Sequence, residues 1–530
     1  MRRIGTKYGT KTITGPFDAI VIGSGMGGLT VASLLAQQGQ RVLVLEQHYT
    51  IGGCTHTFTR KRYEWDVGLH YVGDVQSPRS GLRRMFDAVT GGGVSWAPMP
   101  EIYNRIAIGD RIYEIHRGPE AYATKLAEYF PAQRAAIDAY VKLIFEVSRS
   151  ARNYFAERAM PRAAGDRIYA AVSAPFRRYA DRTTFDVLRE LTDDPELIAV
   201  LCGNYGDYGL PPKRSSFAVQ AMVARHYIFG ASFPVGGPGM IARSIVPIIE
   251  QAGGAVVHSA DVTEILVRDN RATGVKVAGG EEILAPRVIS NAGVGVTFGR
   301  LLPSEIAERF ELLPKLQAVD PAYTVAGLNI GLPRSGAAQG LPAANIWAHH
   351  SSDYDGDLER SRQDPSAPLP SHFITFPSMR DPTWDERHPD TATISMYSEI
   401  GFGRFEPWAH EPDRRRSEAY QALKDTLADQ MLTQLEGYVP GIREQIDHYE
   451  LSTPLTINRF LGRRQGNFMG IDHSPQRFAQ RWLRPHTPVE HLYLTGQDVV
   501  TDGISGAMLG GFLCGSAILG RDLVTALGRG

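Results

Sequence analysis

The hydrophobic positions near the start of this chain change their period in a definite order. Ala19–Ile22 is a short continuous apolar run, the pattern of a strand buried on both faces. Gly23-Ser24-Gly25-Met26-Gly27-Gly28 follows, and then apolar residues at Leu29, Ala32, Leu35 and Ala36, the spacing of a helix face. Gly39 stops that helix, and a second apolar run, 42–45, ends at Glu46. Strand, glycine turn, helix, strand and acid together predict a dinucleotide-binding unit. Gly23 makes the tight turn, Gly25 lets the backbone approach a pyrophosphate, and Gly28 lets the helix lie close on the sheet. The helix N-terminus offers free N–H groups and a positive dipole end, and Glu46 can accept both hydroxyls of a ribose.

Similar patterns return later. Gly236-Gly237-Pro238-Gly239 precedes an amphipathic helix over 240–252, and residues 255–258 and 261–267 read as strands. Asn270 opens a turn into 273–277, and 285–291 is a buried strand running back toward the cofactor. Residues 492–498 form a strand ending in Gly496 and Asp498. The helix over 502–519 has a first turn, Gly503-Ile504-Ser505-Gly506, with bare N–H groups for an anion or a carbonyl oxygen. Residues 293–299 carry three glycines but lack the spacing and the acid, so they predict a plain turn. One dinucleotide site is therefore expected, without a dedicated NAD(P)H domain. The predicted organisation is a flexible tail (1–17), a first nucleotide-binding part (18–119), a helical substrate- or membrane-facing region (120–233), a second nucleotide-binding part (234–303), a substrate domain (304–455) and a third nucleotide-binding part (456–530).

Composition narrows the class. The 530 residues suit several domains, and 43 % apolar with 21 % charged residues is ordinary for a globular chain. A net charge of −1 gives no global attraction for nucleic acid. Cys54, Cys202 and Cys514 are far apart, so neither a disulfide framework nor a zinc site is indicated. The polar, basic start carries no apolar core of a signal peptide, and the weakly polar run 504–519 is shorter than the ~20 residues of a membrane span. A cytoplasmic protein is expected.

The stretch after Glu46 identifies the family. Gly52-Gly53 follows the acid closely, and a strand-like run leads to Asp66-Val67-Gly68-Leu69-His70. This resembles the flavoproteins that include the amine oxidases and the phytoene desaturases. Cys54 stands where many members carry an arginine, which points toward the polyene-processing branch. Residues 56–73, 215–257, 381–390, 452–460 and 492–503 resemble the retinol-saturase subgroup of the phytoene desaturases and carotenoid isomerases; the helix reading DGISGAML departs from the pattern expected of the animal saturases. The resemblance implies an α/β fold: a Rossmann-like FAD-binding domain of amine-oxidase type (GR2), built from discontinuous segments, with an inserted α+β substrate domain. It implies FAD contacts at Gly23, Ser24, Gly25, Gly28, Glu46, Gln47, Gly52, Gly53, Cys54, Val262, Asn291, Gly496, Asp498 and Ile504, and no metal.

It further implies redox chemistry on a C=C bond of a hydrophobic polyene or isoprenoid, with an external electron donor or acceptor (NAD(P)H, a quinone or a redox protein). Saturase activity is the first expectation. Desaturation and cis–trans isomerisation share the scaffold, and a prenyl-lipid escort protein without redox chemistry is the rival from another class. His70 and Tyr71, after a glycine on the segment leaving the cofactor, are the candidate proton donors, with His near its usual pKa a flexible acid at neutral pH. His226 and Tyr227 form a second such pair. Arg149, Arg152, Arg158, Arg162, Arg167, Arg177, Arg178 and Arg182 outnumber Glu157, Asp166 and Asp181. Interleaved with them are Tyr154, Phe155, Met160, Ile168, Tyr169, Phe176 and Tyr179. That composition predicts a peripheral patch on anionic lipid.

Overall fold

The computed structural model describes residues 4–10, 13–364, 366–413 and 415–527. Six parallel strands form one sheet, in the order Thr6–Lys7, Ala255–His258, Val42–Glu46, Ala19–Ile22, Val288–Ser290 and Leu492–Leu494. Helix Met26–Ala36 and its neighbours cover one face, and a three-stranded antiparallel sheet, Val262–Arg268, Arg271–Val277 and Glu282–Leu284, packs on the other, which is why these strands are short apolar runs rather than alternating ones. Ile22 pairs with Leu45 and with Ser290, and Ser290 pairs with Leu494. The residues that follow, Gly23, Glu46, Asn291 and Thr495, therefore leave the sheet at one edge, the carboxyl ends of the strands, where open α/β sheets bind ligands.

Two sequence expectations change here. Residues 1–17 are not wholly a tail: 1–3 and 11–12 lie outside the described residues, and Thr6–Lys7 pairs with Val257–His258 as an edge strand. Helix Met26–Ala36 is buried on every side, not along one stripe. It lies between the sheet and helices Gly239–Gln251 and Gly503–Leu519. Small residues allow this: a Cβ on Gly511 would sit 2.6 Å from the Thr30 side chain and 2.8 Å from the Gly27 carbonyl.

A second sheet has seven strands, in the order His448–Ser452, Thr324–Leu332, Ala392–Ile400, Ser371–Thr375, Asn345–His349, Ile102–Ile108 and Arg111–His116. The last two come from the stretch expected in the nucleotide-binding part. They leave it because Asn345–His349 presents an open edge, on which Ile102–Ile108 pairs in parallel with Ile106 opposite Trp347. The period-2 alternation of strands gives the sheet two unlike faces. Leu328, Ile330, Ile374, Ile394 and Met396 pack under helix Glu418–Tyr438 with Leu427, Met431 and Leu435. Asn329, Trp347, Ser371, Phe373, Tyr397 and Glu399 point the other way, toward a cleft shared with the nucleotide-binding sheet.

Helix Phe217–Tyr227 closes the cleft from a third side with Val219, Met222, Val223, His226 and Tyr227, which share one helical face. Behind it, helices Arg134–Glu157 and Arg162–Ala180 form a hairpin that takes into the core four of the aromatic residues expected on a lipid patch. Tyr154, Phe155, Phe176 and Tyr179 are buried in the protein core, and Arg158 is buried beside them, donating to the Leu483 and Val499 carbonyls at 2.7 Å. Tyr169 stacks under Arg481, and Ile168 is exposed. The aromatic residues recur at helical spacing because they are a core face. Among the described residues, no helix is long and apolar enough to cross a membrane.

Candidate active site

The cleft between the two sheets encloses about 540 Å³. Its nucleotide end is built from three loops pressed together. A Cβ on Gly25 would lie 2.8 Å from Asn291 Nδ2, and one on Gly53 would lie 2.7 Å from the Gly25 Cα. Side chains are thus excluded where helix Met26–Ala36 begins. Its first turn has no side-chain cap and no acid, so its N–H groups face the cleft unspent. Glu46 is buried; its Oε2 accepts from the Ser24 N–H at 2.8 Å and the Ser24 hydroxyl at 2.7 Å, and its Oε1 from the His48 N–H at 2.8 Å. Burial raises its pKa, which these donors oppose. Bare N–H groups for a diphosphate and a carboxylate beside them for a ribose fit a dinucleotide.

Gly23, Gly25, Glu46, Gln47, Gly53, Cys54, Val262, Asn291, Asp498 and Ile504 line the cleft as a group, and so do His70 and Tyr71. Ser24, Gly28, Gly52 and Gly496 do not face it. The Ser24 hydroxyl is buried between Glu46 and the Gly52 N–H, which donates to it at 3.0 Å. A Cβ on Gly28 would collide with the Gly23 carbonyl at 2.2 Å, and one on Gly496 would lie 2.4 Å from Asn291 Oδ1. These four hold the cradle together from behind. Asp498 lines the cleft, yet its two oxygens already accept from the Val294 and Ile471 N–H groups at 2.9 and 3.1 Å. Residues 293–299 are consequently more than a plain turn: they start a helical segment seated on Asp498.

Buried Arg477 braces the same region from below. It donates to the carbonyls of Ile471 and Gln497 at 2.8 Å, and of Val500 and Asp498 at 3.2 and 3.3 Å. Arg477→Met leaves several buried carbonyls unpaired, each at about 1–3 kcal/mol. A loss of at least about 3 kcal/mol in chemical denaturation is expected, with residues at the nucleotide end the first to lose protection from hydrogen exchange.

The other end of the cleft is a wall of rings. Tyr71 stacks on Tyr227 with centroids 4.3 Å apart at 13°, Trp347 lies 4.3 Å from Phe373, and His70 lies 4.9 Å from Tyr397. Burial, then Arg380, push His70 down to about 3. It is therefore neutral at pH 7, and the imidazolium acid expected from sequence is absent. Arg380 fixes this segment by donating to the His70 carbonyl at 2.9 Å. The Tyr71 hydroxyl donates to Asp207 Oδ2 at 2.7 Å, and Asn204 Nδ2 donates to the same oxygen at 3.1 Å. Burial lifts Asp207 to about 7 and Tyr71 well above 10. His226 Nε2 accepts from the Gly73 N–H at 2.9 Å, so this side chain secures a loop; Tyr227 supplies the stacking partner.

Sequence reasoning missed Asp207, Glu399 and Trp347. Glu399 is buried, accepts from the Tyr205 hydroxyl at 3.1 Å through Oε2, and is raised to about 7 by burial; its Oε1 and the Trp347 Nε1 have no partner among the described residues. Asp207 sits in a Tyr-Gly-Asp-Tyr-Gly run that is a faint signal at most. Glu399 and Trp347 lie on strands where only the pairing shows which face meets the cleft.

The family model of an NAD(P)-binding Rossmann-like domain matches residues 21–89. The all-trans-retinol 13,14-reductase of Danio rerio is 36 % identical over 525 residues, which span 96 % of this chain and 86 % of that relative. The chloroplastic prolycopene isomerase 2 of an Oncidium hybrid cultivar is 26 % identical, spanning 93 % of this chain and 83 % of the relative. Of solved structures, the cyclohexylamine oxidase from Brevibacterium oxydans IH-35A aligns with a TM-score of 0.59 at 15 % identity, over 97 % of this chain and 99 % of that one, a likeness of fold.

Proposed function

The chain belongs to the family of the all-trans-retinol 13,14-reductases, and we propose that it is an FAD-dependent reductase of a C=C bond in a conjugated isoprenoid lipid. The observation that carries this reading is the continuity of one cleft, from the dinucleotide cradle at Gly25 and Glu46 to the stacked rings of Tyr71, Tyr227, Phe373 and Trp347. FAD, held by the Gly25–Gly27 amides, Glu46 and Asn291, supplies two-electron chemistry to that cleft. The flat aromatic walls orient a flat conjugated chain and leave little room for water. Tyr71 holds a proton on its hydroxyl, directed at Asp207 and replaceable from it. At the polar limit of the wall, the Trp347 N–H and a Glu399 oxygen, without a hydrogen-bond partner among the described residues, suit a hydrogen-bonding end group.

An external donor returns reducing equivalents on this reading. A peripheral membrane contact would rest on the exposed arginines 149, 152, 162, 167 and 178, without an aromatic anchor. The test is to purify the protein, record its spectrum, reduce it without oxygen and offer retinol, phytoene and quinones in turn. A bound flavin reoxidised by a polyene, with a product one double bond shorter, is the expected result. A colourless protein that cannot be reconstituted with FAD would show the escort reading to be right. Reoxidation by quinone alone would point to a desaturase, and a rearranged polyene without net consumption of electrons to an isomerase.

A further inference from the structure

The electrostatics of the nucleotide end need a positive charge that the glycine motif does not provide. A diphosphate brings two negative charges. The helix end offers the equivalent of about half a positive charge, and Glu46 and Asp498 stand nearby as acids. Among the described residues, the basic side chains lining the cleft are Arg60, Arg300, Arg463 and four histidines. Arg60 is paired with Glu450 at 3.3 Å and Arg300 with Asp261 at 3.7 Å. His48, His56, His70 and His226 are all pushed down by burial and are neutral at pH 7. Arg463 alone has no carboxylate in ion-pair range among the described residues; its Nη1 donates to the Phe468 carbonyl at 3.3 Å.

Its position matches the need. A Cβ on Gly293 would lie 3.1 Å from Arg463 Nη2. Gly293 is two residues from Asn291, whose side-chain nitrogen packs on Gly25. Cys54 follows Gly53, which packs on the Gly25 Cα, and the Cys54 thiol feels the Arg463 charge. The guanidinium therefore lies at the end of the cleft where helix Met26–Ala36 begins. We propose that Arg463 binds the diphosphate of the dinucleotide cofactor and supplies the cation that the glycine loops lack. The proposal rests on the reading that the cleft takes FAD. A guanidinium fork suits this task, since it can make two parallel bonds to phosphate oxygens.

The test titrates the full-length protein, stripped of flavin, with FAD by fluorescence quenching, and in parallel with ADP and adenosine. Hydrogen bonds to charged groups contribute enough that Arg463→Ala should weaken FAD and ADP about 10- to 100-fold. Adenosine, which lacks the diphosphate, should bind as before. Arg463→Lys should retain part of the affinity, and Cys54→Arg placed in the Arg463→Ala background should restore much of it, because Cys54 lines the same cradle within reach of the Arg463 charge. Unchanged FAD affinity in Arg463→Ala overturns the proposal. So does equal loss of ADP and adenosine, which would mark a structural defect. A wild-type protein that binds ADP but not FAD would refute the flavin reading itself, independently of Arg463.

Discussion

Replacing Asp207 by Asn lowers turnover about 100-fold or more while flavin stays bound, the usual range for losing a placed proton donor. The residue touches the cleft, not the nucleotide cradle, so cofactor affinity should not change. Its carboxyl receives the Tyr71 hydroxyl and the Asn204 amide on one oxygen. An amide at this place keeps the shape but cannot reload Tyr71 with a proton. Tyr71→Phe should fall by a similar factor, and the double variant by little more than either alone, since both break one unit.

The pH dependence carries a sign that can be checked. Burial raises Asp207 from 3.8 to about 7, so the protonated form persists to neutrality. Activity that uses this proton is present below about pH 7 and fades as pH rises through it. Stability follows the same sense: the folded state binds a proton more tightly than the unfolded chain, so the contribution is complete below the unfolded value and is lost as pH rises through about 7. The Asn variant avoids that loss. It should be slower than wild type at pH 6, yet fall less in melting temperature between pH 6 and pH 8; Glu399, raised to about 7 as well, keeps part of the slope in both proteins. Wild-type turnover and an unaltered pH profile in Asp207→Asn would remove this carboxyl from the reaction.

Gly27→Ala is expected to abolish the folded, flavin-binding protein. The added Cβ would lie 2.5 Å from the Gly496 Cα, 2.6 Å from its nitrogen and 2.7 Å from Asn291 Oδ1. Two of these atoms are backbone, which cannot swing aside as a side chain can. Overpacking usually costs about 1–3 kcal/mol when side chains can adjust. Here relief requires moving the first helix away from the strand–turn at Gly496, and with it the packing of helix Gly503–Leu519, so a larger loss is expected. Gly295→Ala is the control. Its Cβ would meet nothing within 4 Å, and its melting temperature should match wild type. Melting curves and flavin content of the two variants decide the matter; a soluble, yellow Gly27→Ala protein would show that the approach of the helices is less rigid than described.

The sequence carried the nucleotide end of this molecule well, because every part of it is local. A tight turn, a bare helix start and an acid after the next strand must occur in order within a short stretch, so Gly23, Gly25 and Glu46 could be assigned from spacing alone. Resemblance added Asn291, Val262 and Asp498, and all of these line the cleft. It could not tell contact from support: Ser24, Gly28, Gly52 and Gly496 belong to the same motifs but are spent behind the cradle, which depends on backbone approach distances.

The substrate end was legible only in part. His70 and Tyr71 could be placed beside the cofactor, but their chemistry depends on neighbours remote in the chain. Arg380 and the surrounding burial make His70 neutral, while the Tyr71 hydroxyl donates to Asp207. The aromatic residues at 154–179 show the same limit, since helical periodicity says that a face is apolar and not whether it meets lipid or protein. Sequence by itself determined the dinucleotide site, because its physics lies in consecutive residues. Only the tertiary structure decided the Tyr71–Asp207 pairing, the ring-lined wall and the place of the Arg463 guanidinium, because burial, partner and charge balance arise where distant segments meet.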